Sequence, residues 1–420
     1  MPEKAFVIYP ELPGPKLPEA ELEERLEEAA GLARAINLDV LDCFAVNVSQ
    51  ISPANYLSKG IIERIAEQVE EEEPNVVIFD ASLSPVQQRN LEKSLNCKVI
   101  DRTGLILEIF GDRAQTREGK IQVDLALLEY QRSRLVRAWT HLERQRGATG
   151  FMGGPGETQI ELDRRIIGDK IAKLKKDLEQ VRRTRNLAQA KREKVPFPVV
   201  AFVGYTNAGK STLFNYLTDA GVFAKDLLFA TLDPTMRKLE LPNGQDVIFS
   251  DTGGFISDLP THLVAAFRAT LEQVNAADVI VHVRDISRDT HEKQAEDVIS
   301  ILSDLGIEYE EDKRIMEVWN KIDKLEDDGL ADLLHKAKFK DRVAPLSALT
   351  GEGVNAFLEL VADMLTAGHE VMEITIPVSD GKTLAKLYEY AEVLEREDHE
   401  TSIDLKVKID PALKKRLQLA

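Results

Sequence analysis

Residues 199–203 read Val-Val-Ala-Phe-Val, and residues 204–211 continue directly as Gly-Tyr-Thr-Asn-Ala-Gly-Lys-Ser. The first stretch is an apolar run of strand length, and the second is a glycine-rich loop that opens a helix. In such a loop backbone N–H groups surround phosphates, Lys210 reaches the β and γ oxygens, and the Ser211 hydroxyl holds Mg²⁺. The positive end of the helix points at the same anion. The stretch therefore predicts an α/β fold with a phosphate-binding strand–loop–helix unit.

Three further motifs follow in chain order, each after an apolar run: Asp251-Thr-Gly-Gly254, Asn320-Lys-Ile-Asp323 and Ser347-Ala-Leu349. Asp251 suits a direct or water-mediated Mg²⁺ contact, and the Gly254 N–H suits the γ-phosphate. The Asp323 carboxylate can accept from both N1–H and the exocyclic amine of guanine. Adenine lacks that donor pair, so it would leave a carboxylate that we expect to be buried without a partner. The third motif would close the base pocket with backbone N–H groups. The four motifs together predict a guanine nucleotide.

Length and charge limit the remaining possibilities. A chain of 420 residues is expected to form two to four domains. The net charge is −18, yet residues 102–194 carry 21 Lys and Arg against 13 Asp and Glu, a net of +8 that leaves −26 for the rest. This asymmetry predicts one surface for an anionic partner.

The two cysteines, Cys43 and Cys97, have no metal-ligand spacing and are expected to be buried thiols in a reducing compartment. The first residues show no signal-peptide pattern, and no run of about 18 apolar residues occurs. We therefore expect a cytoplasmic protein with no membrane span.

The periodicity of the chain divides it into four regions. Strands and helices alternate over 1–115, which predicts a small α/β domain with a parallel sheet. Helical periodicity over 116–195 predicts an antiparallel hairpin of helices at Gln122–Arg146 and Glu161–Lys194. A GTPase domain with a mixed, mostly parallel sheet is expected at 196–367. A small α+β domain at 370–420 should contain a strand, a helix over Gly381–Leu394 and a second strand.

Specific side chains carry the hairpin prediction. One face of the first helix should hold Val123, Leu127, Tyr130, Leu135 and Leu142. The apolar side of the second should hold Ile166, Ile167, Ile171, Leu174, Leu178 and Val181.

Two segments have both an ordinary and a functional interpretation. The glycine-rich stretch 147–157 should be irregular, and it is either a flexible connector or a probe that meets RNA backbone closely. The functional interpretation rests on its glycines and flanking arginines, which are Gly153, Gly154, Gly156, Arg144, Arg146, Arg164 and Arg165. Asp80-Ala-Ser-Leu-Ser84 follows a strand and is either a helix-capping loop or a site.

Motifs along nearly the whole chain resemble the HflX family of bacterial ribosome-associated GTPases. They are Asp101–Thr103, Ile109–Ala114, Thr116–Ala126, Arg134–Gln145, Gly154–Gln159, Asp163–Arg165, Phe229–Thr235 and Asp251–Phe255. The resemblance implies GTP hydrolysis coupled to the 50S subunit. It also implies the splitting of stalled or idle 70S ribosomes, with the glycine-rich loop reaching 23S rRNA near the peptidyl-transferase region.

The resemblance also assigns residue roles. Thr231 would complete Mg²⁺ coordination with Ser211 and Asp251 when the γ-phosphate is present, and its ordering would report hydrolysis to the N-terminal domains. Lys210, Thr231 and Gly254 would act in catalysis. The expected nucleotide contacts are Gly204, Tyr205, Thr206, Asn207, Ala208, Gly209, Lys210, Ser211, Thr212, Phe229, Ala230, Thr231, Leu232, Asp233, Asp251, Thr252, Gly253, Gly254, Asn320, Lys321, Ile322, Asp323, Ser347, Ala348 and Leu349.

Phe255 stands where Ras-like GTPases carry a water-orienting glutamine, so intrinsic turnover should be slow until a partner completes the site. Asn207 either braces the loop or helps coordinate K⁺ beside the phosphates. Three other functions stay open: a tRNA-modification GTPase, a nucleotide-dependent RNA remodeller that also uses ATP, and a scaffold without turnover. No cysteine follows Cys97, which weighs against the first. The N-terminal half has no second phosphate loop, and the intact Lys210, Ser211, Thr231 and Asp251 set argues against the scaffold.

Overall fold

The structure is a computed structural model that describes residues 2–145, 155–192, 197–218, 228–229, 231–232, 235–257 and 273–409. Its N-terminal sheet has the order β2-β1-β3-β4, and all three pairings are parallel. This sheet confirms the predicted parallel α/β unit. The elements are β1 (Lys4–Glu11), α1 (Glu19–Ala35), β2 (Asp39–Asn47), α2 (Lys59–Glu72), β3 (Val76–Phe79), α3 (Pro85–Leu95), β4 (Lys98–Asp101) and α4 (Arg102–Arg113).

The sequence did not predict helix α4. Seven of its twelve residues are buried and only Glu108, Gly111 and Asp112 are exposed, so its polar face is too short to make the helix recognisable from periodicity. Asp101 begins it by accepting a hydrogen bond from the Gly104 N–H at 2.8 Å.

The cysteines are free and half-buried rather than fully buried. Burial, followed by the charge of Asp80, raises the pKa of Cys43 to about 12.

Two long helices, α5 (Arg117–Gln145) and α6 (Pro155–Arg192), pack together after this unit. Their seam holds Ile121, Leu125 and Leu128 of α5 against Ile167, Ile171, Leu174, Leu178 and Val181 of α6. The predicted α6 face is right apart from the exposed Ile166. The predicted single α5 face is wrong, because Val123, Ala126 and Tyr130 pack on the N-terminal core instead. Leu127 is exposed, and the side chain of Leu142 lies outside the described residues.

A six-stranded sheet of order β10-β9-β8-β5-β7-β6 forms the next unit, parallel except for the β6–β7 pair. It confirms the predicted mixed, mostly parallel sheet and brings the ends of β5, β7, β9 and β10 to one edge. Its elements are β5 (Val199–Val203), α7 (Lys210–Thr218), β6 (Thr235–Glu240), β7 (Asp246–Asp251), β8 (Val279–Asp285), α8 (His291–Asp304), β9 (Ile315–Asn320), α9 (Asp327–Ala337), β10 (Val343–Pro345) and α10 (Val354–Thr366).

The last described unit is a three-stranded antiparallel sheet of order β11-β13-β12 with one helix. Its elements are β11 (Glu370–Pro377), α11 (Gly381–Tyr390), β12 (Glu392–Asp398) and β13 (Ser402–Ile409). The α+β class is confirmed, but the predicted helix over Gly381–Leu394 is too long. Its end is an edge strand that pairs with β13. In the part of the chain that the structure describes, no helix combines the length and apolar character needed to cross a membrane.

Candidate nucleotide-binding site

The phosphate loop lies between the end of β5 at Val203 and the start of α7 at Lys210. Gly209 has φ +95°, and a Cβ there would overlap the Asn320 amide, so the turn requires glycine. The buried Lys210 ammonium donates to the Gly204 and Tyr205 carbonyls at 3.0 and 2.7 Å. Burial lowers the pKa of Lys210 to about 8, against the opposing charge of Asp251. The Lys210 ammonium therefore bonds to the backbone of the phosphate loop in this conformation.

The three residues predicted to hold a metal meet at one point. Ser211 Oγ and Thr231 Oγ1 donate to Asp251 Oδ2 at 2.7 and 2.9 Å, and the two hydroxyl oxygens are 3.0 Å apart. Asp251 Oδ1 is buried and has no hydrogen-bond partner among the described residues. Hydroxyl and carboxylate oxygens are the ligands that Mg²⁺ prefers, and an unpaired buried carboxylate oxygen can accept from a metal-bound water. This donor set fits Mg²⁺.

The segment after Asp251 lies directly on the phosphate loop. The Thr206 N–H donates to the Phe255 carbonyl at 2.7 Å, and the Phe255 N–H donates to the Gly204 carbonyl at 3.1 Å. A Cβ on Gly254 would lie 2.8 Å from Thr206 Cα and 3.0 Å from Lys210 Nζ. Only glycine therefore allows so close an approach of the two backbones.

The base-recognition motifs meet at the ends of β9 and β10. Asn320 Nδ2 donates to the Ala208 carbonyl at 2.8 Å, and the Ala348 N–H donates to Asn320 Oδ1 at 3.0 Å. Lys321 Nζ donates to the Asn207 carbonyl at 2.8 Å. Asn320 and Lys321 therefore tie the base motif to the phosphate loop, and the Ala348 N–H is engaged within the protein.

Asp323 differs from the sequence-based expectation, because it is exposed rather than buried. The Ser347 hydroxyl donates to Asp323 Oδ1 at 2.5 Å. The side chain is thus oriented by one oxygen, and Leu349 beside it is also exposed. Discrimination between bases must then arise when a bound base covers the carboxylate, not from burial in the free protein.

Other predicted residues are only partly described. Ala230 and Asp233 lie outside the described residues, whereas Phe229, Thr231 and Leu232 are buried. Of the predicted RNA contacts, Arg146, Gly153, Gly154 and the side chain of Arg144 lie outside them. Gly156 is helical because α6 begins at Pro155, so the predicted irregular segment 147–157 extended too far; proline suits a first helical turn. Arg164 and Arg165 are exposed.

A polar junction that the sequence did not reveal joins the N-terminal unit to the phosphate loop. Arg102 pairs with Asp80 at 2.6 Å and with Glu28 at 2.7 Å, and all three are largely buried. Arg102 also donates to the Ser257 carbonyl at 3.1 Å. The Tyr205 hydroxyl donates to Glu28 at 2.6 Å and accepts from the Ser257 N–H at 2.9 Å. We call these five residues the switch junction.

The switch junction also resolves the two interpretations of Asp80-Ala-Ser-Leu-Ser84. Ser84 caps α3, with its Oγ accepting from the Gln87 N–H. Asp80 is not a cap, because its carboxylate neutralises Arg102 instead. A lone aspartate after a buried strand was the available signal, but its partner is 22 residues away and could not be read from spacing.

Comparison with known proteins gives family matches along most of the chain. The matching families are described as GTP-binding GTPase N-terminal (residues 23–111), GTP-binding GTPase middle region (113–192), 50S ribosome-binding GTPase (199–321) and HflX C-terminal domain (332–418). GTPase HflX of Magnetococcus marinus is 48% identical over 96% of this chain and 92% of its own. GTPase HflX of Escherichia coli is 40% identical over 92% and 90%. Among solved structures, a GTP-binding protein from Sulfolobus solfataricus in complex with GDP is 23% identical, covers 87% of this chain and 99% of its own, and has a TM-score of 0.47.

Proposed function

The chain belongs to the HflX family of GTPases and is a GTP-hydrolysing enzyme, and we propose that it separates ribosomal subunits. Its partners would be GTP and GDP, the 50S subunit with its 23S rRNA, and stalled or idle 70S ribosomes in the cytoplasm. The similarity of residues 199–321 to a family described as 50S ribosome-binding GTPases supports the ribosomal partner.

The observation that carries the proposal is that the two segments expected to respond to the γ-phosphate, one ending at Thr231 and one following Asp251, both contact the N-terminal unit. Phe229, two residues before Thr231, packs edge-on against Phe110 of α4 with ring centroids 5.0 Å apart. Ser257, two residues after Phe255, has its carbonyl held by Arg102 and its hydroxyl held by Arg25 of α1 at 2.8 Å. A γ-phosphate that draws Thr231 and Gly254 towards itself would therefore move residues packed on α1 and α4. Nucleotide state would reach the N-terminal domains through these contacts.

The proposed site residues divide the work of hydrolysis. Lys210 would turn from the Gly204 and Tyr205 carbonyls to the β and γ oxygens, and Ser211, Thr231 and Asp251 would hold Mg²⁺. Bound Mg²⁺ would neutralise charge that develops on the phosphates. The Phe255 side chain is buried and offers no polar group for the attacking water. Slow intrinsic turnover and activation by a partner are therefore expected.

K⁺ is a candidate for a second cation that would neutralise negative charge developing on the phosphates during hydrolysis. Asn207 has φ +60°, and its carbonyl accepts from Lys321, which holds the residue at the mouth of the phosphate loop. Its amide oxygen would then help coordinate K⁺ beside the phosphates. GTP turnover should be faster in KCl than in NaCl at equal ionic strength, and Asn207→Ala should remove the difference while still binding GTP. Equal rates in both salts would contradict the K⁺ role and favour the large subunit as the source of the catalytic group.

The helical hairpin is proposed to reach RNA. Its α5 is fixed to the N-terminal unit, because the Tyr130 hydroxyl donates to Asp101 at 2.6 Å and Arg134 lies 3.6 Å from the same carboxylate. The exposed Arg164 and Arg165 near the start of α6 supply positive charge close to the predicted glycine-rich loop. A helical hairpin that is attached to the N-terminal unit at one end and carries positive charge at the other is suited to contact rRNA.

Sedimentation of 70S ribosomes in a sucrose gradient tests the proposed function. With the protein and GTP, or a non-hydrolysable analogue, the 70S peak should give way to 50S and 30S peaks. GDP should have much less effect, because it cannot order Thr231 and Gly254. An unchanged 70S peak with every nucleotide would contradict subunit splitting without affecting GTP hydrolysis.

A further inference from the structure

The Thr206 hydroxyl is a buried polar group that the ordinary chemistry of a phosphate loop does not use. Such loops contact phosphates through backbone N–H groups, one lysine and one hydroxyl on the metal. Thr206 is 6% exposed, and its Oγ1 is buried without a hydrogen-bond partner among the described residues. A buried hydroxyl without a partner is unfavourable, so this position gains stability if a ligand supplies one.

Thr206 borders the two groups that are expected to bind a γ-phosphate. A Cβ on Gly254 would lie 2.9 Å from Thr206 Cγ2 and 3.0 Å from Lys210 Nζ, so the three residues meet at one point. The γ-phosphate needs space between the lysine and the glycine N–H. The Thr206 group that faces this point is its Cγ2 methyl, so the neighbouring hydroxyl would reach an entering γ-phosphate by rotation of the side chain about χ1.

The backbone of Thr206 is engaged in this conformation, because its N–H donates to the Phe255 carbonyl. Phe255 itself contributes only an apolar side chain. The hydroxyl is thus the polar group that this position can offer to an incoming anion, and a hydroxyl donating to a phosphate oxygen makes a charge-assisted bond. GDP has no phosphate group at this point.

We propose that the Thr206 hydroxyl donates a hydrogen bond to the γ-phosphate and so helps the protein to distinguish GTP from GDP. This inference rests on the proposed nucleotide site. Thr206 would therefore be a specificity-determining residue, because its hydroxyl would bond to GTP, which has a γ-phosphate, and not to GDP.

Two variants of one position test the assignment. Thr206→Val keeps the β-branched shape and removes the hydroxyl, whereas Thr206→Ser keeps the hydroxyl. Dissociation constants are measured with Mg²⁺ for fluorescent GDP and for a non-hydrolysable GTP analogue. Thr206→Val should weaken the analogue about tenfold or more, the effect of one hydrogen bond to a charged group, and change GDP less than about twofold. Thr206→Ser should bind both nucleotides like the wild type.

The GDP measurement separates the possible outcomes. Equal weakening of both nucleotides by Thr206→Val would mean that the loop is distorted, and would overturn the proposal. Unchanged binding of both would overturn it as well. Failure of the wild-type protein to bind either nucleotide would instead refute the proposed nucleotide site.

Discussion

Arg102 shows how a single residue can connect two parts of the molecule. Its guanidinium lies between Asp80 and Glu28 of the N-terminal unit and also reaches the Ser257 carbonyl. A buried cation with two carboxylate partners is stable only while the set is complete, since a lone buried charge is costly. The same residue therefore supports the fold and carries the proposed coupling.

Arg102→Leu should lower the free energy of unfolding by about 3 to 5 kcal/mol, because Asp80 and Glu28 would be left buried without a cation. Arg34→Leu is the matched control, since Arg34 pairs on the same helix with Glu27 but both side chains are about half exposed or more. It should cost less than about 1 kcal/mol. Urea unfolding of the two variants makes the comparison, and equal losses would show that the buried set is not needed.

Asp323 carries the second prediction at this scale. Asp323→Asn should weaken GTP at least about 100-fold and favour xanthosine triphosphate, because an amide donates where the carboxylate accepted. Competition among GTP, XTP and ATP measures the preference. Asp328→Asn, an exposed carboxylate just beyond the motif, should leave the preference unchanged. Unaltered GTP affinity in Asp323→Asn would contradict the assigned role.

Adjacent strands of the six-stranded sheet hold a polar network in their interior. His282 on β8 is 1% exposed, with Nδ1 2.7 Å from the Tyr309 hydroxyl. Glu317 on β9 bonds Tyr309, Arg284 and the Trp319 indole N–H. Burial lowers the pKa of His282 to about 3, opposed by Glu317 and assisted by Arg284 and Lys210. The folded sheet therefore keeps this imidazole neutral.

This neutral histidine predicts a loss of stability in mild acid. Since the pKa is about 6.5 in the unfolded chain and about 3 when folded, the unfolded state takes up the extra proton as pH falls below 6.5. His282→Gln lacks this titration. The stability difference between wild type and variant should shift by about 1 kcal/mol against the wild type from pH 7 to pH 5.5. Urea unfolding followed through Trp319, with Trp139→Phe in both proteins, measures it, and a constant difference would contradict a buried neutral imidazole.

The whole molecule separates its charges between parts. The region 102–194, mostly the helical hairpin, is basic, whereas the rest of the chain carries the excess of acid. The hairpin is tied to the N-terminal unit, and that unit shares one hydrophobic core with the nucleotide-binding unit. The proposed action on RNA can thus depend on the nucleotide site without direct contact between the hairpin end and that site.

Deletion of Thr149–Gly154 should abolish subunit splitting and leave GTP affinity unchanged, because the glycine-rich loop is proposed to act on RNA alone. Gradient sedimentation and nucleotide binding measure the two effects. Splitting by the deletion protein at the wild-type rate would make the loop a simple connector.

Charge replacement tests the same surface. Replacing Arg144, Arg146, Arg164 and Arg165 by glutamine should weaken ribosome binding and flatten its dependence on salt. Replacing the exposed Lys313, Lys336, Lys338 and Lys340 of the GTPase unit by glutamine removes the same number of charges and is the control. Equal effects of both sets would contradict a specific basic surface on the hairpin.

The sequence alone determined the features that rest on local spacing. The phosphate loop and the parallel sheets were readable because motif residues and apolar periodicity lie close together in the chain, whereas the place of Thr231 beside Ser211 and Asp251 was implied by the resemblance to the HflX family. Helix α4 and strand β12 were missed because their structure is decided by tertiary contacts and not by the local sequence pattern. The first exposes only Glu108, Gly111 and Asp112, and the second is a charged edge strand whose residues favour a helix, so tertiary contacts override the local pattern in both. The switch junction, the exposed Asp323 and the two packing faces of α5 depend on residues far apart in sequence. Only the folded chain could bring Arg102 to Ser257, because no local pattern encodes a contact across 155 residues.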